Sequence, residues 1–113
     1  MKRHSAGILV TGLAVLGVAF TLYSAPKGDA TAGKDIFTKK CKTCHGPDGD
    51  GNPGVAKLLG VTFTPLSSDE VQKMSDDDIK KIITDGKNKM KPVKDLTDAD
   101  KDNVIAFVRT LKK

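Results

Sequence analysis

The sequence predicts an all-α domain, and two observations carry that prediction. Asp29, Ser75 and Thr97 each stand just ahead of a stretch whose apolar residues recur at helical spacing, the pattern of a capped amphipathic helix. The stretch after residue 45 is rich in Gly, Pro and Asp and holds hardly any β-branched run from which a strand could be built.

Composition divides the 113 residues into an apolar segment, 1–25, and a domain, 26–113. Ser5 to Pro26 carries no charge, whereas all 14 acidic residues and 17 of the 19 basic ones lie beyond Pro26, so the domain bears 17 − 14 = +3. A small excess with interspersed signs excludes nucleic-acid binding as the domain's work. The domain's aromatic residues are Phe37, Phe63 and Phe107, with no Trp and no Tyr beyond residue 26. A domain this small buries only roughly 60% of its extended-chain surface and leans on a disulfide, a metal or a cofactor. Cys41 and Cys44 are too close in sequence to staple a long loop. The core asks for another occupant.

The N-terminal segment opens with Lys2 and Arg3 and continues as an apolar run from Ala6 to Leu22. A basic end before an apolar stretch directs export, with the positive end kept inside. Residues 1–25 therefore read as a signal peptide or an N-terminal membrane anchor. Ala25 precedes Pro26 and follows Tyr23 by two, which makes a poor small-x-small cleavage site, and the run is at the short end of the roughly 17 to 25 residues that span a bilayer. Either way the domain is expected on the periplasmic or exported side of the cytoplasmic membrane, soluble or tethered through residues 5–25. His4 falls in this segment and is read as neither ligand nor catalyst.

The elements follow in order. Asp29 caps a first helix in which Gly33, Ile36, Phe37 and Lys40 share helical spacing, and Gly33 permits close approach of another backbone. Then comes Cys41-Lys42-Thr43-Cys44-His45. Ser75 caps a helix whose first turn is Asp76, Asp77 and Asp78, with Met74 and Ile79 at hydrophobic-staple positions and Gly86 as a natural stop. A polar loop, Lys87 to Pro92, holds Met90. Thr97 caps the last helix, with Asp98 and Asp100 in its first turn and Val104, Phe107, Val108 and Leu111 as its apolar stripe.

The Cys41 to His45 segment carries the chemistry. Two thiols three positions apart and the following imidazole converge within one helical turn, and C-x-x-C-H spacing lets both sulfurs form thioethers to a haem while the imidazole ligates its iron. A structural zinc site would want four ligands, and the domain has two Cys and one His. A thiol–disulfide oxidoreductase also uses C-x-x-C, but on a βαβ framework that this composition does not suggest. Haem also supplies the missing core, since its flat apolar ring offers more area than several aromatic side chains. For the second axial position the soft donors are Met74 and Met90. Met74 is accounted for as packing at the Ser75 cap; Met90, among lysines in a loop, has no core to fill and is read as the ligand.

With these residues in view the chain resembles the small monohaem class I cytochromes c of bacteria, over Gly28 to Lys113. Gly33 and Phe37 ahead of the C-x-x-C-H, Met90 with Pro92 about 45 residues after His45, and the helix ending Val104 to Leu111 carry the resemblance. It implies a class I cytochrome c fold, about three to five short helices wrapped around one covalently bound haem c. Gly33 and Phe37 would meet Val104 and Phe107 where the first and last helices cross. It assigns Cys41 and Cys44 to covalent attachment, His45 to the proximal iron position and Met90 to the distal one. Lys91 stands between Met90 and Pro92, where the family commonly has Met directly before Pro. Pro53 matches the proline whose carbonyl orients the proximal imidazole, and equally reads as a turn proline.

His/Met ligation implies a one-electron carrier rather than an enzyme, and the carrier is expected to be a monomer. A haem enzyme or gas sensor would need an open iron; the domain offers no distal His and only one Arg, Arg109. Lys39, Lys40, Lys42, Lys87, Lys89, Lys91 and Lys94 lie beside the attachment segment or the Met90 loop, and such a field suits redox partners with acidic docking surfaces.

Overall fold

The computed structural model describes residues 27–113 and, within the N-terminal segment, Gly7, Thr11, Gly12, Ala14 and Gly17. The expected signal peptide or anchor, and its boundary at residue 26, otherwise lie outside the described residues. Among those described, no helix is long and apolar enough to cross a membrane.

The domain is helical, with elements α1 (Ala30–Lys40), α2 (Lys42–His45), α3 (Pro53–Leu59), α4 (Asp69–Gln72), α5 (Asp76–Asp85) and α6 (Asp98–Thr110). Two of the six, α2 and α4, are single turns of four residues. The expected caps are in place. Asp29 accepts from the N–H groups of Thr31 and Ala32, Ser75 Oγ from the N–H of Asp78 at 3.1 Å, and Thr97 Oγ1 from the N–H of Asp100 at 3.1 Å. Asp100 answers by accepting from the Thr97 N–H at 3.0 Å, which completes a capping box.

The first and last helices cross as the sequence predicts. A Cβ on Gly33 would overlap the Asn103 carbonyl, so hydrogen is the only side chain that lets α1 and α6 approach this closely. One turn later the rings of Phe37 and Phe107 pack at 5.0 Å between centroids, tilted by 55°. At the helix start, the Asp29 N–H donates to Asn103 Oδ1 at 2.8 Å.

The core consists of Phe37, Ile79, Ile83, Val104, Ile105, Phe107 and Val108. Five consecutive residues of α6, Val104 to Val108, are buried, so the helix is enclosed beyond the stripe its sequence suggests. The reason is position: α1 lies against one side of α6 and α5 against another. Met74 and Ile79 occupy the staple positions, Ile79 in the core and Met74 packed against it.

Arg109 fastens the far end of α6. Its guanidinium donates to the carbonyls of Gln72 and Met74 at 2.9 and 2.7 Å and to Asp76 Oδ1 at 2.6 Å, so one side chain closes α4 and braces the start of α5. Gln72 Nε2 adds bonds to the carbonyls of Leu66 and Val108.

Candidate functional site

The motif at residues 41–45 is held rigid by backbone bonds. Cys41 closes α1 by donating its N–H to the Phe37 carbonyl at 2.8 Å, and the His45 N–H donates to the Cys41 carbonyl at 3.0 Å. The next loop folds back, with the Gly51 and Asn52 N–H groups donating to the carbonyls of His45 and Cys44 at 2.7 and 2.8 Å. Asn52 Nδ2 donates to the Thr43 carbonyl at 3.2 Å, while its Oδ1 caps α3. One asparagine thus ties the motif to the next helix.

Cys41, Cys44, His45 and Met90 line a single cavity of about 900 Å³. The apolar part of its wall is Leu59, Val61, Phe63, Leu66, Val71, Met74, Ile82 and Val93. That volume is near the top of the roughly 300 to 1,000 Å³ typical of cofactor sites. His45 stands between two phenyl rings, with Phe37 at 6.4 Å and Phe63 at 5.8 Å between centroids. Its Nδ1 is buried without a hydrogen-bond partner. Burial lowers the pKa of His45 from the ordinary 6.5 and so keeps the imidazole neutral, with a lone pair to offer a metal. Burial, reinforced by the neighbouring Cys44, pushes the Cys41 thiol up to about 11.

Met90 is placed by a tight hairpin rather than by a loose loop. The Lys87 N–H donates to the Met90 carbonyl and the Met90 N–H to the Lys87 carbonyl, both at 2.9 Å. The Val93 N–H then reaches the Ile83 carbonyl at 2.9 Å, which returns the chain to α5. Lys91 therefore fits between Met90 and Pro92 while Met90 still faces the cavity. Met74 shares the wall with Met90, so its packing role and its place beside the cavity coincide.

Of the seven lysines singled out in the sequence, Lys40, Lys87, Lys89, Lys91 and Lys94 line the cavity, together with Glu70 and Asp95. Lys39 and Lys42 are exposed and lie off its wall. Pro53 opens α3 behind the Asn52 cap, and no carbonyl, that of Pro53 included, accepts from His45 Nδ1. Pro53 thus stands at the first position of a helix, where its missing N–H costs nothing, rather than in a free turn.

Phe63 is a site residue that the sequence reading left as a mere aromatic. The available signal is the alternation Val61-Thr62-Phe63-Thr64, in which Val61 and Phe63 are half-buried and the threonines exposed. Gly51 makes its seat, since a Cβ there would come within 2.6 Å of the Phe63 Cβ.

Comparison with known proteins bears on this geometry. A family model described as cytochrome c oxidase, cbb3-type, subunit III, matches residues 28–108. Cytochrome c-555 of Methylococcus capsulatus is 32% identical over 97 residues, covering 81% of this chain and 72% of its own. The chain belongs to the class I cytochrome c family. Cytochrome c-554(547) of Halothiobacillus neapolitanus is 34% identical over 90 residues, 75% of this chain and 99% of its own length. Among solved structures, the KustC0563 c-type cytochrome superposes with a TM-score of 0.62 at 33% identity, covering 72% of this cytochrome and 98% of that chain.

Membership brings haem c as the bound group and electron carriage with redox partners as the work. The cavity of this cytochrome suits that group. It offers two thiols, a neutral imidazole with an unpartnered buried nitrogen and a thioether, all on apolar walls. Among the described residues no three His, Cys, Asp or Glu side chains gather as a metal-ion site of their own.

Proposed function

We propose that this cytochrome holds one haem c, attached covalently through Cys41 and Cys44, with His45 as proximal and Met90 as distal iron ligand. On this reading it is a monomeric carrier that moves single electrons between redox partners outside the cytoplasmic membrane, either free after removal of residues 1–25 or tethered by them. The observation that carries it is the convergence of those four side chains on one apolar cavity.

When bound, haem would supply one-electron exchange between ferric and ferrous iron, and ligation by the His45 imidazole and the Met90 thioether would leave no position for a substrate. The protein's residues set the conditions. Cys41 and Cys44, on a turn closed by the Asn52 bonds, fix the tether. His45 is kept neutral by burial between Phe37 and Phe63. Leu66, Val71 and Ile82 exclude water, which limits reorganisation on electron transfer. Lys87, Lys89, Lys91 and Lys94 at the cavity would draw in a partner with an acidic surface.

The ferric visible spectrum of the haem-loaded protein tests the ligand set. A weak band at the red end is expected from Met90 coordination, and its absence overturns that assignment. Cys41→Ser combined with Cys44→Ser tests attachment; haem that stays covalently bound after both changes overturns the tether.

A further inference from the structure

Met90 is held by its own hairpin, and that hairpin turns on one residue. Lys87 and Met90 exchange both backbone hydrogen bonds at 2.9 Å, leaving Asn88 and Lys89 as the two-residue connection. Asn88 takes φ +54°, and Lys89 does not take a positive φ. A positive φ at the first central residue alone is the sign pattern of a type II′ turn, whose twist matches a two-residue hairpin and whose usual occupant is Gly. Asn is among the few side chains that take a positive φ, and a β-branched residue with a positive φ is a true outlier.

Nothing else in the loop could set the turn as directly. Lys87, Lys89 and Lys91 are exposed, and Met90 itself is half-buried. The start of the hairpin is rigid: the Gly86 N–H donates to the Ile82 carbonyl at 2.8 Å, and a Cβ on Gly86 would crowd the Met90 carbonyl and the Pro92 ring. The end is rigid as well, through the Val93 bond to Ile83. Between two fixed ends, the backbone of Asn88 decides whether Met90 keeps its pairing with Lys87.

We propose that Asn88 is a positioning residue for Met90: its positive-φ backbone holds the turn that aims the thioether into the cavity. This rests on Met90 being the distal iron ligand, and it assigns the effect to the backbone conformation of residue 88. Any residue that accepts a positive φ should therefore serve, and one that refuses it should free Met90 to swing away.

The test is imidazole titration of the ferric haem-loaded protein, which competes with Met90 and is followed by loss of the red-end band. Asn88→Val is expected to raise the apparent imidazole affinity about tenfold, because strain at the turn raises the population of the Met90-off form. Asn88→Gly and Asn88→Asp are expected to stay within about twofold of the parent. Unchanged affinity in Asn88→Val overturns the proposal, as does an Asn88→Gly variant that behaves like Asn88→Val. Thermal denaturation of the same proteins separates a merely structural role, in which Asn88→Val lowers the midpoint while imidazole affinity stays put. Met90→Leu isolates the underlying assignment: a red-end band that survives this change shows that Met90 is not the ligand, whatever residue 88 does.

Discussion

The carbonyl of Asn103 occupies the place where a side chain on residue 33 would begin. This contact sets how closely α1 lies against α6, and with it the distance at which Phe37 meets Phe107. Gly33→Ala leaves the methyl group no room unless the two backbones part, which also pulls Phe37 away from its neighbour. The expected loss is about 3 kcal/mol, at the upper end of ordinary overpacking costs. Guanidinium denaturation of the haem-loaded protein measures it. A loss below about 1 kcal/mol would mean that the helices accommodate the methyl and that the crossing is not set here.

Arg109 joins three elements, and its contacts differ in worth. Asp76 is roughly half exposed, at 47%, so the ion pair itself should contribute under about 1 kcal/mol. The bonds to the Gln72 and Met74 carbonyls matter more, because Arg109→Gln leaves those partly buried acceptors without their charged donor. Removing them is expected to cost about 2 kcal/mol. A double-mutant cycle of Arg109→Gln with Asp76→Asn should give a coupling well below that total. A coupling equal to the whole loss would assign the role to the ion pair instead.

The capped helices and the attachment motif were legible because each rests on local chemistry. Asp29, Ser75 and Thr97 announce their helices through cap hydrogen bonds that involve only near neighbours, and Cys41 to His45 fall within a single turn. That Gly33 admits another backbone was legible in its lack of a side chain; its place against the last helix came from the resemblance, and the atom it meets is the Asn103 carbonyl. What escaped was mostly nonlocal. Ser68 caps the single turn α4 with Asp69 and Glu70 in its first turn, a local signal that went unread, but four residues do not stand alone and the turn is held by Gln72 and by Arg109, 37 residues away. The place of Phe63 beside His45 depends on Gly51, which is contiguous with neither. The polar loop around Met90 is a hairpin because Asn88 takes a positive φ, a feature that lysine-rich composition conceals.

Cavity charge should govern encounter rates. With Lys40, Lys87, Lys89, Lys91 and Lys94 set against Glu70 and Asp95, the residues around the opening carry an excess of positive charge. Lys89→Glu combined with Lys91→Glu is expected to slow oxidation of the reduced protein by ferricyanide about tenfold at low salt, and to speed its reaction with a cationic cobalt oxidant. Both differences should shrink as ionic strength rises from about 0.01 to 1 M, where the screening length falls from about 30 to 3 Å. Stopped-flow rates provide the measurement. Equal effects on the anionic and cationic oxidants would show that the lysines act through something other than their field.

Haem should be required for this fold. The cavity exposes eight apolar side chains, Leu59, Val61, Phe63, Leu66, Val71, Met74, Ile82 and Val93, that only a bound apolar group can cover. At about 1.5 to 3 kcal/mol for each fully covered side chain, and less for a partial cover, the shortfall without haem is on the order of 10 kcal/mol. That matches the roughly 5 to 15 kcal/mol by which whole domains are stable. A chain with Cys41→Ser and Cys44→Ser, kept free of haem, should lack the helical circular dichroism of the loaded protein. Thiol chemistry gives an independent reading on the unsubstituted haem-free chain. In a folded cavity the Cys41 thiol, raised from 9.0 to about 11, would react with iodoacetamide at pH 8 about a hundredfold more slowly than an unfolded thiol. Unprotected, rapid alkylation of Cys41 is expected; a hundredfold protection would show that the polypeptide builds the cavity before haem enters it.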